Sequence, residues 1–192
     1  MRLSQISYYA DFAICFALVA FMGGCAAMLP SWLQRAEWVF YLGAGAVAWT
    51  FVEYLVHRWL YHHVPYFKTI HEMHHAEPEA LIGAPPVIGV VLVFSMFYVP
   101  VFPFNPIAAS GVAAGALIGY TGYMLVHHAA HFWSVPQGTW LYEARRHHAL
   151  HHFHSEECNF GIITSFWDHM FGTAVVSSRR VQGKDRVTVR AR

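Results

Sequence analysis

Long apolar stretches separated by short polar segments dominate the hydrophobic pattern of the chain. Residues 12–29 carry no charge and are followed at once by Pro30. Such a stretch is long enough to cross about 30 Å of hydrocarbon as a helix that rises about 1.5 Å per residue. Residues 38–56 form a second apolar stretch, which only Glu53 interrupts. A cleaved signal peptide is the competing interpretation of the first stretch, but Asp11 stands at its start and the apolar run is longer than that of a typical signal peptide.

A third apolar region extends from Ala80 to Tyr142 without any Asp, Glu, Lys or Arg. Proline ends or kinks a helix, and three prolines interrupt this region: Pro100, Pro103 and Pro106. We therefore predict two further crossings, residues 87–102 and 107–126, which a tight turn joins. The whole pattern predicts an all-α integral membrane protein with four transmembrane helices in two hairpins.

The composition agrees with a membrane protein. Of the 192 residues, 12% are Asp, Glu, Lys or Arg, which is about half the share in soluble domains, and 56% are hydrophobic. The mean hydropathy of +0.35 excludes a disordered chain and argues against a water-soluble globule, because too little polar surface exists to cover one. A net charge of +1 gives no electrostatic basis for binding nucleic acid. Cys15, Cys25 and Cys158 form neither a disulfide framework nor a CxxC metal pair.

Lysine and arginine indicate the orientation in the membrane. They cluster at the start of the chain and after the second and fourth predicted crossings, whereas Arg35 lies on the other side beside Glu37. Because cytoplasmic segments are enriched in these residues, we expect both termini in the cytoplasm. Residues 1–178 are predicted to form one membrane-embedded domain, and residues 179–192 a basic cytosolic tail that anionic lipid attracts.

Histidine changes this picture most, because 15 histidines occur and most of them lie in four blocks on the predicted cytoplasmic side. The blocks contain HRWLYH, HEMHH, HHAAH and HHALHH. Spacings of three and four place side chains on one face of a helix. Three groups are therefore predicted to converge: His71 with His74 and His75, His127 with His131, and His148 with His151 and His152.

Clustered imidazoles of this number indicate metal binding. Neutral imidazole suits zinc, copper, iron and nickel, and about ten imidazoles exceed what one four- to six-coordinate ion can use. Two metal ions are the simplest count. The alternative of histidines that pack without metal would leave many buried nitrogens unsatisfied.

Together these motifs resemble the membrane fatty acid hydroxylase and sterol desaturase superfamily. The resemblance covers about residues 51–173 and rests on HxxxxH from His57, HxxHH from His71, HxxxH from His127 and HxxHH from His148. The closing string FGIITSFWDHMFGT, residues 160–173, looks most like the fatty acid 2-hydroxylase branch.

This resemblance implies four membrane helices capped by cytosolic helices, which carry a dimetal site. Carried over position by position, the expected metal ligands are His57, His62, His71, His74, His75, His127, His131, His148, His151 and His152. Two iron ions are the implied cofactors, although zinc could occupy the same nitrogens in purified protein. The implied reaction is O2-dependent hydroxylation of a lipid acyl chain, with electrons from an external cytochrome b5-like or ferredoxin-like donor.

Two carboxylates are candidates for orienting the ligands. Glu53 stands one turn before His57, so it could hydrogen-bond the ring nitrogen that faces away from the metal. Asp168 in the closing string could act in the same way, or could cap a helix. Five histidines fall outside the motifs and are left without a role: His63, His128, His147, His154 and His169.

Other functions stay open on the sequence alone. Within the superfamily, a carotenoid ring hydroxylase or a sterol desaturase is the alternative to an acyl-chain hydroxylase. From another class, a membrane metal carrier could use clustered histidines, although transporters place polar ligands near the bilayer midplane. The expected location is a bacterial inner membrane, with the endoplasmic reticulum as the alternative.

Overall fold

The computed structural model describes residues 1–175 and contains seven α-helices in that part of the chain. Two of the helices continue into a π-helical segment, α2 into Val56–Tyr61 and α4 into Phe94–Tyr98. The helices are α1 (Gln5–Ala27), α2 (Trp32–Leu55), α3 (Pro65–Ala76), α4 (Pro86–Val93), α5 (Pro106–Phe132), α6 (Trp140–Phe153) and α7 (Phe166–Met170). The predicted all-α class is confirmed. The predicted basic tail, residues 179–192, lies outside the described residues.

Three of the described helices are long and apolar enough to cross a membrane: Gln5–Ala27, Trp32–Tyr61 and Pro106–Phe132. Their outward surfaces carry large apolar side chains, such as Ile6 and Phe40, which are 85% and 69% exposed. Hydrocarbon around the helices accounts for such exposure. The third predicted crossing is a shorter apolar helix, Val87–Tyr98, which falls below the 18 residues that the other three exceed.

The first helix begins seven residues earlier than the apolar pattern predicted. The Ser4 hydroxyl caps it by accepting a hydrogen bond from the Ser7 N–H at 3.1 Å. Asp11 consequently lies inside α1 rather than before it. Its carboxylate is tolerated there because the Tyr120 hydroxyl of α5 donates a hydrogen bond to it at 2.7 Å.

Helices α2 and α5 pack in parallel at the centre of the molecule. The Trp38 indole N–H donates to the Ser110 hydroxyl at 2.9 Å, and further along the pair Trp49 lies against Gly119. A Cβ at Gly115 would lie 2.0 Å from the Leu42 carbonyl oxygen, so only glycine allows this approach. The packing brings the carboxyl ends of α2 and α5 to the same end of the molecule.

Helices α3, α6 and α7 lie at that end. Helix α3 packs against the π-helical turn of α2, and α6 packs against α5. The Thr139 hydroxyl caps α6 by accepting from the Tyr142 N–H at 3.2 Å. All four histidine blocks therefore come from helices that meet at one end of the α2–α5 pair.

Candidate metal centre

Nine of the ten predicted ligands form two compact clusters. In each cluster the nitrogens that could bind a metal all lie within 4.8 Å of one another. The first, called the four-histidine cluster, contains His57, His62, His71 and His151. The second, called the five-histidine cluster, contains His74, His127, His131, His148 and His152.

Three Nε2 atoms of the four-histidine cluster converge on one point. The Nε2 atom of His57 lies 3.3 Å from that of His71 and 3.0 Å from that of His151, and the last two are 3.3 Å apart. Two nitrogens bound to one ion at about 2.1 Å lie on the order of 3.0–3.4 Å apart at octahedral or tetrahedral angles. The spacing therefore fits ligands of a common metal.

Backbone carbonyls decide which nitrogen faces the centre of this cluster. The Nδ1 of His57 bonds the Phe160 carbonyl oxygen, and the Nδ1 of His151 bonds the Cys158 carbonyl oxygen at 2.8 Å. A carbonyl only accepts, so each Nδ1 must carry the proton and each Nε2 presents its lone pair. Two lone pairs 3.0 Å apart repel each other unless a cation lies between them. The cluster thus has the donor set and tautomers of a metal site.

The five-histidine cluster shows the same short spacing. Its Nε2 atoms pair at 3.0 Å between His74 and His127 and at 2.9 Å between His131 and His148. Both ring nitrogens of His152 are buried without a hydrogen-bond partner among the described residues. Buried imidazole nitrogens without partners are unfavourable in a packed interior, and metal coordination would satisfy them.

A π-helical turn brings His57 and His62 together. Residues five apart diverge on an α-helix, but a π-helix closes its hydrogen bonds between residues i and i+5, so they return to one face. The turn Val56–Tyr61 contains His57, and the rings of His57 and His62 stack with centroids 5.8 Å apart. The HxxxxH spacing alone did not reveal this geometry.

Helices α3 and α6 each contribute to both clusters. In the HxxHH motif of α3, His71 belongs to the four-histidine cluster and His74 to the five-histidine cluster. On α6, His151 joins the first cluster, and His148 and His152 join the second. The residues of each motif are neighbours as predicted, but they are divided between two sites. The two sites consequently lie side by side.

His75 lies between the two clusters. Its Nε2 atom is 3.0 Å from that of His71, and its ring stacks on that of His152 with centroids 4.1 Å apart. Its Nδ1 atom lies 3.5 Å from the Glu156 carboxylate. This position fits a ligand at the edge of the four-histidine cluster.

Burial holds three clustered histidines outside the membrane helices neutral: His62, His74 and His151. Burial, with a smaller effect of neighbouring imidazoles, lowers the pKa of His74 to about 3. Burial also lowers the pKa of His151 to about 3, although the hydrogen bond to the Cys158 carbonyl acts in the opposite direction. Burial, together with the imidazole of His75, lowers the pKa of His62 to about 4. Neutral imidazole is the form that binds metal, so these side chains are ready for coordination near pH 7.

Glu53 contacts the backbone rather than a histidine ring. Its Oε1 accepts hydrogen bonds from the N–H groups of Ile162 and Ile163, which belong to residues 158–163, here called the carbonyl loop. This loop also carries the Cys158 and Phe160 carbonyls that orient His151 and His57. Glu53 therefore acts on the ligands through the backbone, and the expectation of a direct bond to His57 was wrong.

Asp168 supports the carbonyl loop from the other side. Its carboxylate accepts hydrogen bonds from the N–H groups of Phe160 and Gly161, both at 2.8 Å, and from His147 Nε2 at 3.0 Å. Burial by itself raises the pKa of Asp168, but hydrogen bonds from His147, Gly161 and Thr173 outweigh burial and lower that pKa. Like Glu53, it acts on the loop that orients the histidines.

The five histidines left without a role lie outside both clusters. His147 bonds Asp168, and His128 bonds the Tyr8 hydroxyl at 3.1 Å. The Nδ1 atoms of His63 and His169 bond the carbonyls of Trp59 and Ser165. His154 is exposed just after α6. Only the role of His147, which links α6 to Asp168, bears on the carbonyl loop.

A cavity of about 550 Å³ opens onto both clusters. His57 and His71 of the first cluster line it, as do His74 and His127 of the second. Its remaining wall is largely apolar and includes Phe12, Val52, Leu92, Met96 and Met124. The size and lining suit an apolar chain that reaches the histidines from within the membrane.

Residues 42–173, which contain both clusters and the carbonyl loop, match the family model for fatty acid hydroxylases. The chain belongs to the fatty acid hydroxylase family. The resemblance seen in the histidine motifs is thereby confirmed.

Relatives in this family have named activities. The chain is 37% identical over 144 residues to fatty acid 2-hydroxylase of Rattus norvegicus, an alignment of 68% of this chain and 38% of the rat protein. It is 30% identical over 142 residues to a dihydroceramide fatty acyl 2-hydroxylase of Arabidopsis thaliana, covering 67% and 58% of the two chains. The chain thus spans about two fifths of the length of its rat relative.

A solved structure shares the fold. The hydroxylase domain visible in the structure of full-length scs7p superposes with a TM-score of 0.76, covering 92% of this chain and 69% of that one. The two sequences are 24% identical. The overall helical arrangement is therefore that of a known hydroxylase domain.

Proposed function

We propose that the protein is a membrane lipid hydroxylase that inserts one oxygen atom of O2 into a C–H bond of an acyl chain. The observation that carries the proposal is the apolar cavity that ends at both histidine clusters. The named activities of the relatives, fatty acid and dihydroceramide fatty acyl 2-hydroxylases, support an acyl substrate.

Two iron ions fit the donor set best for this reaction. The four-histidine cluster, with His75 at its edge, would hold one ion, and the five-histidine cluster would hold the other. Iron supplies the redox chemistry needed to activate O2, which zinc in the same nitrogens cannot supply. The balance R–H + O2 + 2 e⁻ + 2 H⁺ → R–OH + H2O requires an external donor of two electrons, of a cytochrome b5-like or ferredoxin-like class.

The side chains of the protein position the substrate and exclude water. Apolar residues of the cavity desolvate the acyl chain and direct one carbon toward the histidines. Hydrogen bonds from the carbonyl loop keep the rings of His57 and His151 in one orientation. An electron donor would approach from the opposite, cytosolic side of the clusters.

The same proposal includes four crossings in two hairpins with α3 and α6 as cap helices. Helices α2 and α5 run parallel, so the chain must return across the membrane between them, and the short helix Val87–Tyr98 with its turn is the only described segment there that is apolar enough. The eukaryotic relatives lend no support to a bacterial inner membrane and fit the endoplasmic reticulum alternative.

Oxygen incorporation tests the proposal directly. Iron-loaded protein in lipid nanodiscs, supplied with NADPH, ferredoxin, its reductase, stearate and ¹⁸O2, should yield hydroxystearate that carries one ¹⁸O, measured by mass spectrometry. His148→Ala should lose the product, because His148 lies in the five-histidine cluster, whereas the exposed His154→Ala should retain it. Transport of iron into sealed vesicles without any hydroxylated lipid would instead support the metal carrier.

A further inference from the structure

The cavity contains a polar pair far from the histidine clusters. Asp11 of α1 and Tyr120 of α5 both line it, and the Tyr120 hydroxyl donates to Asp11 Oδ2 at 2.7 Å. Neither residue belongs to a histidine motif, and the Tyr120 hydroxyl bonds Asp11 rather than the carbonyl loop. A carboxylate inside a membrane-spanning helix is unfavourable and usually marks a functional site.

One oxygen of this pair lacks a partner. Asp11 Oδ1 is buried and accepts no hydrogen bond from any described residue. A buried carboxylate oxygen without a partner loses its hydration without a compensating hydrogen bond, which is unfavourable. A ligand group in the cavity that forms a hydrogen bond would remove this penalty.

The fold makes room for the pair at a specific position. A Cβ at Gly89 of α4 would lie 2.2 Å from the Tyr120 hydroxyl oxygen, so the absence of a side chain there lets the phenol extend across the cavity wall. Phe12 and Trp49 line the same cavity. The polar pair is therefore set into a largely apolar wall, where a single hydrogen bond discriminates strongly between ligands.

The distance from the histidines limits which group can reach the pair. Tyr120 precedes His127 by seven residues of α5, which is about 10 Å along the helix. A lipid whose reacting carbon lies at the clusters would place at the pair a group two helical turns deeper in the membrane. A hydroxyl suits Asp11 Oδ1 in either protonation state, because a hydroxyl both donates and accepts.

We propose that Asp11 and Tyr120 form a binding subsite for a hydroxyl group of the lipid that occupies the cavity. The proposal rests on the proposed function in one respect, namely that the occupant is a lipid. The hydroxyl could belong to a hydroxylated acyl chain or to the head group of a lipid that enters in the reverse direction. The subsite selects lipids that carry this hydroxyl over those that lack it.

Equilibrium binding without turnover tests the subsite. The full chain with its bound metals, in detergent and without an electron donor, is titrated with stearate, 12-hydroxystearate and monostearoylglycerol, each displacing the fluorescent fatty acid cis-parinarate. One hydroxylated lipid should bind about tenfold more tightly than stearate, the effect expected of one hydrogen bond to a charged group. Preference for 12-hydroxystearate assigns the hydroxyl to the chain, and preference for monostearoylglycerol assigns it to the head group.

Variants identify the residues responsible. Asp11→Leu should abolish the preference, and Tyr120→Phe should weaken it. Tyr9→Phe changes an exposed tyrosine of the same helix and should have no effect. If Asp11→Leu does not fold, Asp11→Asn, which keeps an acceptor for Tyr120, should show a reduced preference.

Two results would overturn the subsite: wild-type protein that binds all three lipids equally, or a preference that is undiminished in the Asp11 variants. Because binding is measured without an electron donor, the outcome is independent of hydroxylation. Protein that hydroxylates stearate but shows no preference refutes the subsite alone. A preference without any hydroxylation refutes the proposed function alone.

Discussion

At the scale of single residues, the orientation of the candidate ligands depends on groups that bind no metal. His57 and His151 point Nε2 into the four-histidine cluster because Phe160 and Cys158 offer carbonyl acceptors to their Nδ1 atoms. The carbonyls are in turn fixed by buried carboxylates on both sides of the carbonyl loop. A metal site of imidazoles thus depends on the backbone of a short loop.

Replacement of Glu53 should release this loop. Glu53→Ala leaves the buried N–H group of Ile162 and the partly buried N–H group of Ile163 without an acceptor, which costs about 1–3 kcal/mol for the buried group. We expect a lower melting temperature and loss of about one metal ion per chain, measured by calorimetry and by elemental analysis. Glu53→Gln keeps an acceptor oxygen and should retain both metals. Full metal content in Glu53→Ala would show that the loop does not orient His57.

Asp168 gives a pH-dependent contribution to stability. Its pKa is lowered in the folded protein, so the contribution is present above the unfolded-state pKa of about 3.9 and disappears as the pH falls through the folded-state value. Asp168→Asn should therefore be less stable than wild type by about 2 kcal/mol at pH 7, measured by denaturant unfolding in detergent. The difference between the two proteins should shrink below about pH 4. A difference that stays constant down to pH 2 contradicts this role.

At the scale of elements, a local change of helix type assembles the four-histidine cluster. The sequence places His57 and His62 five residues apart, and the π-helical turn Val56–Tyr61 returns them to the same face. Such turns often occur at functional sites. Here the π-helical turn is needed for geometry, because an α-helix would direct one of the two rings away from the cluster.

Changing the length of this turn tests the geometry. Deletion of the exposed Trp59 leaves His57 and His62 four residues apart, a spacing that shares one face of an ordinary α-helix, so the metal content should be retained. Insertion of one alanine after Trp59 separates them by six residues and should remove the metal of the four-histidine cluster. Elemental analysis measures both. Full metal content in the insertion variant would contradict the requirement that His57 and His62 share one face.

At the scale of the whole molecule, two parallel helices determine where the site lies. The close approach of α2 and α5 at Gly115 brings the ends of both to one side, where α3 and α6 complete the clusters. The cavity between the membrane helices then leads to the clusters from the membrane side. In the proposed function, substrate and electrons would therefore reach the site from opposite directions.

Labelling from the two sides of the membrane tests this arrangement. In a Cys25→Ser background, Arg35→Cys lies in the first turn of α2, at the end that follows α1, and His154→Cys lies just after α6. With four crossings, a membrane-impermeant maleimide should label them from opposite sides of sealed vesicles, with His154→Cys on the cytoplasmic side. Labelling of both from the same side would leave three crossings and contradict the return of the chain through Val87–Tyr98.

The sequence by itself determined the class of the protein and most of its candidate ligands. Apolar segments of membrane length predict helices because hydrocarbon demands internally satisfied backbone groups, and histidine blocks at helical spacing predict metal binding. Family membership follows from the same motifs. These features depend on residue type and local spacing, which a single chain displays directly.

Only the tertiary structure decided how the histidines divide and what orients them. The division of each HxxHH motif between two clusters depends on the packing of α3 against the π-helical turn and of α6 against α5. Glu53 is more than 100 residues away in the sequence from the carbonyl loop to which it bonds. Asp168 follows the loop closely in the sequence and folds back to accept hydrogen bonds from it. Backbone carbonyls have no signature in a sequence, since every residue has one, and only the folded chain shows which of them face a histidine.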